Sequence, residues 1–296
     1  MISSSNNPAV ERSQPWLGTL VSIRVGGMAG REAHCAIDAA FREVATVHHL
    51  MSFHDPGSDL SRLNRTVGEP VEVHPYTSEV LHQALSFSAS TDGCFDVTVG
   101  AELVEWELLP RLDAGKASPG SWRDIQLLKA NQVKFHRPLC VDLGGIAKGF
   151  AVDRATECLR MHGAMQTVVN AGGDIRVQGT DAEPIRLSAE SSMDTKPVLE
   201  LTDGSVASSS GHLQRRWYGG RVCGPHVDGV RRSPAPTDRF VCVVAERCVV
   251  ADALTKVVMV KSRDSKAVLR QFGASAYVHD PGYGWQYLEA ESAVAG

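Results

Sequence analysis

Apolar positions along this 296-residue chain change their period several times, and each change marks an element. Between Leu17 and Val25, Val21, Ile23 and Val25 alternate with Leu20, Ser22 and Arg24, which predicts a half-buried strand. From Glu32 to Met51 the apolar residues are Ala36, Ile37, Ala40, Phe41, Val44, Ala45 and Val47, the spacing of one helical face. A second helical face runs from Ser78 to Ser90 through Val80, Leu81, Leu85 and Phe87, and the Thr91-Asp92-Gly93 turn ends it. Val133–Phe135 and Leu139–Leu143 read as a pair of strands, Ala147–His162 as a helix, and Thr167–Asn170 and Asp174–Gln178 as two more strands. From Pro184 to Val243 the pattern is strand-like and rich in turns; Ala251–Val260 is helical and Ala274–His279 is a late strand. Strands and helices mix without regular βαβ alternation, so the predicted class is α+β.

Residues 1–16 are polar and are expected to be flexible, leaving one domain over residues 17–296. Residues 110–123, rich in Gly, Pro, Ser and Lys, read as a loop or surface excursion. Solenoid-length repeats and low-complexity tracts are absent from the sequence.

Charge and composition narrow the function classes. Thirty basic against 34 acidic residues give a formal net charge of −4, so no basic surplus faces a phosphate backbone and nucleic acid is not the expected partner. The densest apolar stretches, Val241–Ala245 and Val249–Ala251, are interrupted by Glu246 and Arg247, so no membrane span is expected. The seven cysteines are scattered and form no CxxC pair, which disfavours a zinc knuckle or a disulfide scaffold. Cys140 and Cys242 lie in apolar runs and read as small core residues. With no Lys/Arg-rich start leading into an apolar segment and no lipobox, a cytoplasmic setting is expected, or a periplasmic one if the N-terminus has been truncated.

Three constellations carry candidate chemistry. In Asp142-Leu143-Gly144-Gly145-Ile146-Ala147-Lys148-Gly149, a strand runs into paired glycines and then a helix bearing Lys148. Glycines let backbone N–H groups approach an anion, and a helix N-terminus with a lysine adds positive potential. The GxxxxGK[ST] spacing of a Walker A loop is missing, and a plain strand–turn–helix connection fits the same residues. Asn170-Ala171-Gly172-Gly173-Asp174 repeats the logic, although paired glycines also simply make turns. Further on come Ser208-Ser209-Ser210-Gly211, then Gly224-Pro225-His226-Val227-Asp228, then Ala251-Asp252-Ala253-Leu254. His226 is suited to proton transfer near neutral pH or is a surface histidine in a turn, and Asp252 is either a functional carboxylate or a helix cap. No GxGxxG follows the first strand, which disfavours a nicotinamide oxidoreductase.

In this order these segments, with Met51-Ser52-Phe53 to Asn64 and Gly93–Gly100 upstream, resemble the ApbE family of FAD:protein FMN transferases over roughly residues 17–260. The resemblance implies a fold of two intertwined lobes, with mixed or antiparallel sheets flanked by helices and FAD in an interior cleft. It implies Mg²⁺ at the FAD pyrophosphate and transfer of FMN to a Thr or Ser hydroxyl of an acceptor flavoprotein, with release of AMP. Phosphoryl transfer of this kind depends on neutralising the phosphates and on in-line positioning. Matched by position, Met51, Asp96, Val97, Thr98, Gly144, Gly145, Lys148, Asp153, Asp174 and Ser209 are expected to contact or border the nucleotide. His226 matches the family's candidate general base; Ala147 (through its carbonyl) and Asp252 match the metal ligands.

Two departures bear on the metal and the acceptor side. The family's ADAxxT helix places a Thr four residues after the Asp; here that position is Lys256, and Thr255 comes one residue early. Thr255 then serves as the ligand with altered geometry, or Lys256 replaces the ion, or Lys256 turns away and the metal has one fewer ligand. After His226, the family's HxxDPxTG becomes His226-Val227-Asp228-Gly229-Val230-Arg231-Arg232, losing a proline and gaining two cations. An FAD-binding protein without transfer, metal-independent or catalytically impaired, and an FAD pyrophosphatase are the alternatives.

Overall fold

The computed structural model describes residues 8–111, 120–189, 196–212 and 214–289. Its backbone is an eight-stranded antiparallel sheet, in the order Val10–Trp16, Thr19–Gly26, Gln166–Ala171, Asp174–Gln178, Gly204–Ser210, Phe240–Ala245, Ser275–Asp280 and Gly284–Leu288. Seven helices accompany it among the described residues: α1 (Gly30–Met51), α2 (Asp59–Arg65), α3 (Pro75–Ser90), α4 (Gly100–Glu105), α5 (Ala147–Met161), α6 (Cys248–Lys261) and α7 (Lys266–Gln271). A three-stranded sheet, in the order Pro70–Glu72, Gln132–Phe135 and Ile125–Leu127, stands apart from the large one. The α+β class read from the sequence is the class observed.

Side-chain alternation explains how the large sheet is covered. On Phe240–Ala245, Val241, Val243 and Ala245 join the core beneath α6, whereas Phe240, Cys242 and Val244 face the cluster built with Leu187, Val177 and Leu201. A central strand covered on both faces carries an unbroken apolar run, as this one does. Toward the other end, Val21, Ile23 and Val25 meet Ala36, Ile37, Ala40 and Val44 of α1 and Val152, Ala155 and Leu159 of α5. Helices α5 and α6 lie against each other on the sheet, and the site is built around their N-terminal halves.

Several expectations are corrected. Val10–Trp16, expected to be flexible, pairs along its whole length with Thr19–Gly26. As an edge strand it tolerates Glu11, Arg12, Gln14 and Pro15, which hid it in the sequence. Leu139–Leu143 joins no sheet: the Asn64 side chain donates to the Val141 carbonyl and accepts from its N–H, at 2.9 and 2.8 Å, in place of a neighbouring strand. Helix α6 begins three residues earlier than expected, because the Asp153 carboxylate of α5 caps the N–H groups of Cys248 and Val249, at 2.8 and 3.1 Å. Most of the 110–123 excursion, the first seven residues and the last seven lie outside the described residues.

Candidate active site

One cavity of about 840 Å³ opens between the end of α1, the 93–97 segment, the 142–148 turn and the 225–227 segment. Its volume lies within the range of small-molecule and cofactor sites. Helix α5 starts at this cavity with Ala147 and Lys148, and its N-cap Ile146 supplies no side-chain cap. The Ala147 N–H donates to the Leu143 carbonyl at 2.9 Å and the Gly149 N–H to Asp252, so it is the positive end of the helix dipole, rather than a row of free N–H groups, that faces the cavity.

Helices α5 and α6 approach unusually closely here. A Cβ on Gly149 would lie 2.4 Å from the Cys248 carbonyl oxygen and 2.8 Å from Cβ of Asp252, so only glycine fits. Through that gap the Gly149 N–H donates to Oδ2 of Asp252 at 3.0 Å. Asp252 is fully buried, and Lys256 one turn later donates to its Oδ1 at 2.5 Å. The Lys256 ammonium also lies 2.9 Å from Oγ1 of Thr255, 3.2 Å from the Asp252 carbonyl and 3.3 Å from Oγ of Ser209. Thr255 donates to the Asp252 carbonyl at 2.7 Å and shares a 2.9 Å hydrogen bond with Ser209. Lys148 bonds Asp174 and lies 3.9 Å from Asp252.

This tetrad of two carboxylates and two ammoniums is layered. Lys148 and Lys256 line the cavity, whereas Asp174 and Asp252 lie beneath them. Burial and the neighbouring Asp252 carboxylate push Asp174 up to about 6, against the pull of Lys148. Burial also acts to raise Asp252, but the Lys148 and Lys256 ammoniums outweigh it and hold that carboxyl at about 2. Burial, then the same two ammoniums, lower His226 to about 3, so its ring is neutral at pH 7. The Asp252 carboxylate and a hydrogen bond to the Ser210 backbone act in the opposite direction and are outweighed. At this part of the wall the two ammoniums and the neutral His226 ring suit a phosphate group and can accept a proton, while Asp96, Asp142, His48 and His54 line the cavity as well.

The remaining expected residues divide clearly. Met51, Asp96, Val97, Gly144, Gly145 and Ser209 line the cavity. Thr98 stands behind it, donating to Asp96 at 2.8 Å. Asp153 is not at the cavity, because its carboxylate is spent on the start of α6. The Gly172-Gly173 pair is a two-residue hairpin turn between Ala171 and Asp174, with φ of 65° and 96°. That conformation demands glycine, and the Gly173 N–H is taken by Asn170 Oδ1 at 2.9 Å. Of the two paired-glycine loops, the 144–145 turn is thus the one carried by a helix start at the cavity.

The sequence marks Arg232 as a gained cation but not its partners: it donates to Asp96 at 3.1 Å and Thr98 at 2.9 Å and reaches Glu102 at 3.5 Å. It ties the 229–232 turn to the cavity wall; no local pattern signals a contact across 136 residues. Gly149 could have been suspected, since a glycine inside a helical pattern often marks close backbone approach.

The match to known proteins decides the family: the ApbE family matches over residues 17–278. The chain belongs to the ApbE family. Among relatives, a Vibrio cholerae protein named FAD:protein FMN transferase is 29% identical, with 89% of this chain and 85% of that protein covered. A Chlamydia trachomatis protein of the same name is 31% identical over 81% of this chain and 79% of its own length. The crystal structure of the ApbE protein of Thermotoga maritima superimposes with a TM-score of 0.83 at 25% identity, covering 95% of this chain and 97% of that one. Pseudomonas stutzeri flavinyl transferase ApbE in its apo form, at 18% identity, shares the fold with a TM-score of 0.81 over 96% and 95% of the two chains.

Against that ApbE background the expected metal set fails a chemical test. Both Asp252 carboxylate oxygens already accept hydrogen bonds, from Lys256 and Gly149, and Thr255 Oγ1 lies within 2.9 Å of the Lys256 ammonium. A divalent ion against Asp252 would sit beside an ammonium, a repulsion of several kcal/mol even at an effective dielectric of about 20. The residues present do not fit the Mg²⁺ that the resemblance implies. Among the described residues, no helix is long and apolar enough to cross a membrane.

Proposed function

We propose that this protein is an FAD:protein FMN transferase, moving the FMN half of FAD onto a Thr or Ser hydroxyl of an acceptor flavoprotein. The observation that carries the reading is the convergence of Lys148, Lys256, the α5 start and a neutral His226 on one cavity. An FAD pyrophosphate is anionic, and its charge repels an incoming alkoxide; two ammoniums and a helix start offset that charge. The acceptor hydroxyl oxygen attacks the phosphorus of the FMN half while its proton passes to a ring nitrogen of His226. The bond from that phosphorus to the bridging oxygen breaks, and AMP leaves with the bonding electron pair.

His226 is suited to this because its ring is neutral and free to take a proton, and the arriving phosphates offset the lowering that the two ammoniums add to that of burial. Met51, Val97 and Phe95 supply an apolar wall for the flavin or adenine ring. Asp174 and Asp252 hold the lysines in place from below. The seven cysteines, all unpaired and six of them buried, support the placement of this enzyme in a reducing, cytoplasmic compartment.

Intact mass of a flavoprotein acceptor domain, incubated with FAD and this protein, tests the proposal, with a curated relative as positive control. The expected result is an added FMN mass on the acceptor, absent when the acceptor hydroxyl is removed. AMP release without acceptor labelling would instead mark an FAD pyrophosphatase, and bound FAD with neither product would mark a flavin-binding protein.

A further inference from the structure

Lys256 occupies a cage of oxygens rather than a single ion pair. Oδ1 and the carbonyl of Asp252, Oγ1 of Thr255 and Oγ of Ser209 all lie within 3.3 Å of its ammonium. These oxygens come from two separate elements, α6 and the strand Gly204–Ser210. An aspartate, a hydroxyl and a carbonyl around one point are the donor types that hard divalent cations take. Here the centre is filled from within the chain. The lysine reaches it because positions i and i+4 of a helix lie on the same face, and the Gly145 position next to its stem carries no side chain: a Cβ there would lie 3.4 Å from Cε of Lys256.

We propose that Lys256 is the resident cation of this site, standing where a divalent metal would otherwise be needed, so that FAD binding and FMN transfer proceed without Mg²⁺. The inference rests on the transferase reading above. The Lys256 side chain is 15% exposed and lines the cavity, so its ammonium faces both Asp252 and an arriving pyrophosphate. Four oxygens surround an ammonium that carries three protons, so a pyrophosphate oxygen replaces one of the two longer contacts, to the Asp252 carbonyl or to Ser209. Lys148, held by Asp174, supplies the second cation. During transfer the phosphorus of the FMN half exchanges its bond to the bridging oxygen for one to the acceptor oxygen. The acceptor proton goes to His226, and AMP departs bearing charge that the two lysines neutralise.

The test compares wild type, Lys256→Thr and Lys256→Met in EDTA and in millimolar Mg²⁺. FAD dissociation constants are read by flavin fluorescence, and Mn²⁺ binding by the loss of the free-ion paramagnetic signal. For the wild type, FAD affinity and acceptor flavinylation are expected to change less than twofold between EDTA and Mg²⁺, with no Mn²⁺ bound in the presence of FAD. Lys256→Thr is expected to lose at least tenfold in FAD affinity in EDTA, to recover it with Mg²⁺, and to bind Mn²⁺. Lys256→Met is expected to lose the same affinity and to recover none of it. A wild type that binds Mn²⁺ with FAD, or flavinylates only with Mg²⁺, overturns the resident-cation proposal and leaves the transferase reading standing. A wild type that binds FAD tightly in EDTA yet labels no acceptor under either condition overturns the transferase reading alone. Thermal melts of the three proteins identify a variant that fails to fold, and the wild-type metal titration decides the proposal without either variant.

Discussion

Replacing Gly149 with alanine sets helix propensity against close packing. Gly→Ala inside a helix contributes up to about 1 kcal/mol of stability through propensity. At this position the new methyl group would lie 2.4 Å from the Cys248 carbonyl oxygen and 2.7 Å from its carbon. These are backbone atoms at the start of α6 and cannot swing aside, so α5 and α6 must separate by about 1 Å to restore ordinary contact. Overpacking of this kind costs about 1–3 kcal/mol. The separation also stretches the 3.0 Å hydrogen bond from the Gly149 N–H to Asp252, and a bond to a buried carboxylate contributes about 1.5–3 kcal/mol. Packing and hydrogen bonding together outweigh propensity, leaving a net loss of about 3 kcal/mol. For a chain of this size the melting temperature should fall by about 5 °C. Differential scanning calorimetry of both proteins without FAD measures the shift. A melting temperature equal to or above that of the wild type would refute the close-approach argument, since propensity alone acts in that direction.

Asp153→Ala removes the carboxylate that caps α6 and should cost about 1–2 kcal/mol in urea unfolding, with Asp153→Asn retaining part of the loss because it keeps one acceptor. Arg232→Ala strips the cation from Asp96 and Glu102, whose carboxyls burial already raises, and should cost about 3 kcal/mol at pH 8. The cost should shrink toward pH 4, where those carboxyls take up protons; an equal cost at both pH values would contradict the ion-pair account. His226→Gln tests the depressed histidine. With a folded value of about 3 against an ordinary 6.5, only the unfolded chain binds the proton between those limits, so wild-type stability is present above pH 6.5 and is lost as pH falls. At pH 5 the wild type should therefore have lost about 1–2 kcal/mol that the variant keeps, read as the pH dependence of the difference in urea midpoints. His226→Gln should also lower the flavinylation rate by about 10²–10⁴ if the ring accepts the acceptor proton.

What could be read from the sequence was local. Alternation located Thr19–Gly26, periodicity located α1 and α3, and the DLGGIAKG segment located the turn into α5 at the cavity, though not the irregular stretch before it. What escaped depended on partners distant along the chain. The first turn of α6, Cys248-Val249-Val250, has no side-chain cap of its own at Arg247, and its cap is Asp153 on another helix. Leu139–Leu143 is apolar like a strand, yet its Val141 is paired by one asparagine 77 residues earlier. Matching by position put Asp153 with the nucleotide-facing residues, although chemistry alone could not distinguish a ligand-facing carboxylate from one facing a helix start. Lys256 was visible as a departure from the family pattern. Its choice among the three readings depended on the geometry of Ser209, Thr255 and Asp252 around its ammonium.

The central claim is transfer, in which one FAD yields one AMP and one flavinylated acceptor. The direct measurement quantifies both products in a single reaction, AMP by chromatography and acceptor-bound FMN by intact mass and absorbance after denaturation. The account predicts equal amounts of the two, both abolished when the acceptor hydroxyl is replaced. AMP that accumulates at the same rate without acceptor, or an acceptor that gains no FMN while the control transferase labels it, would contradict the account.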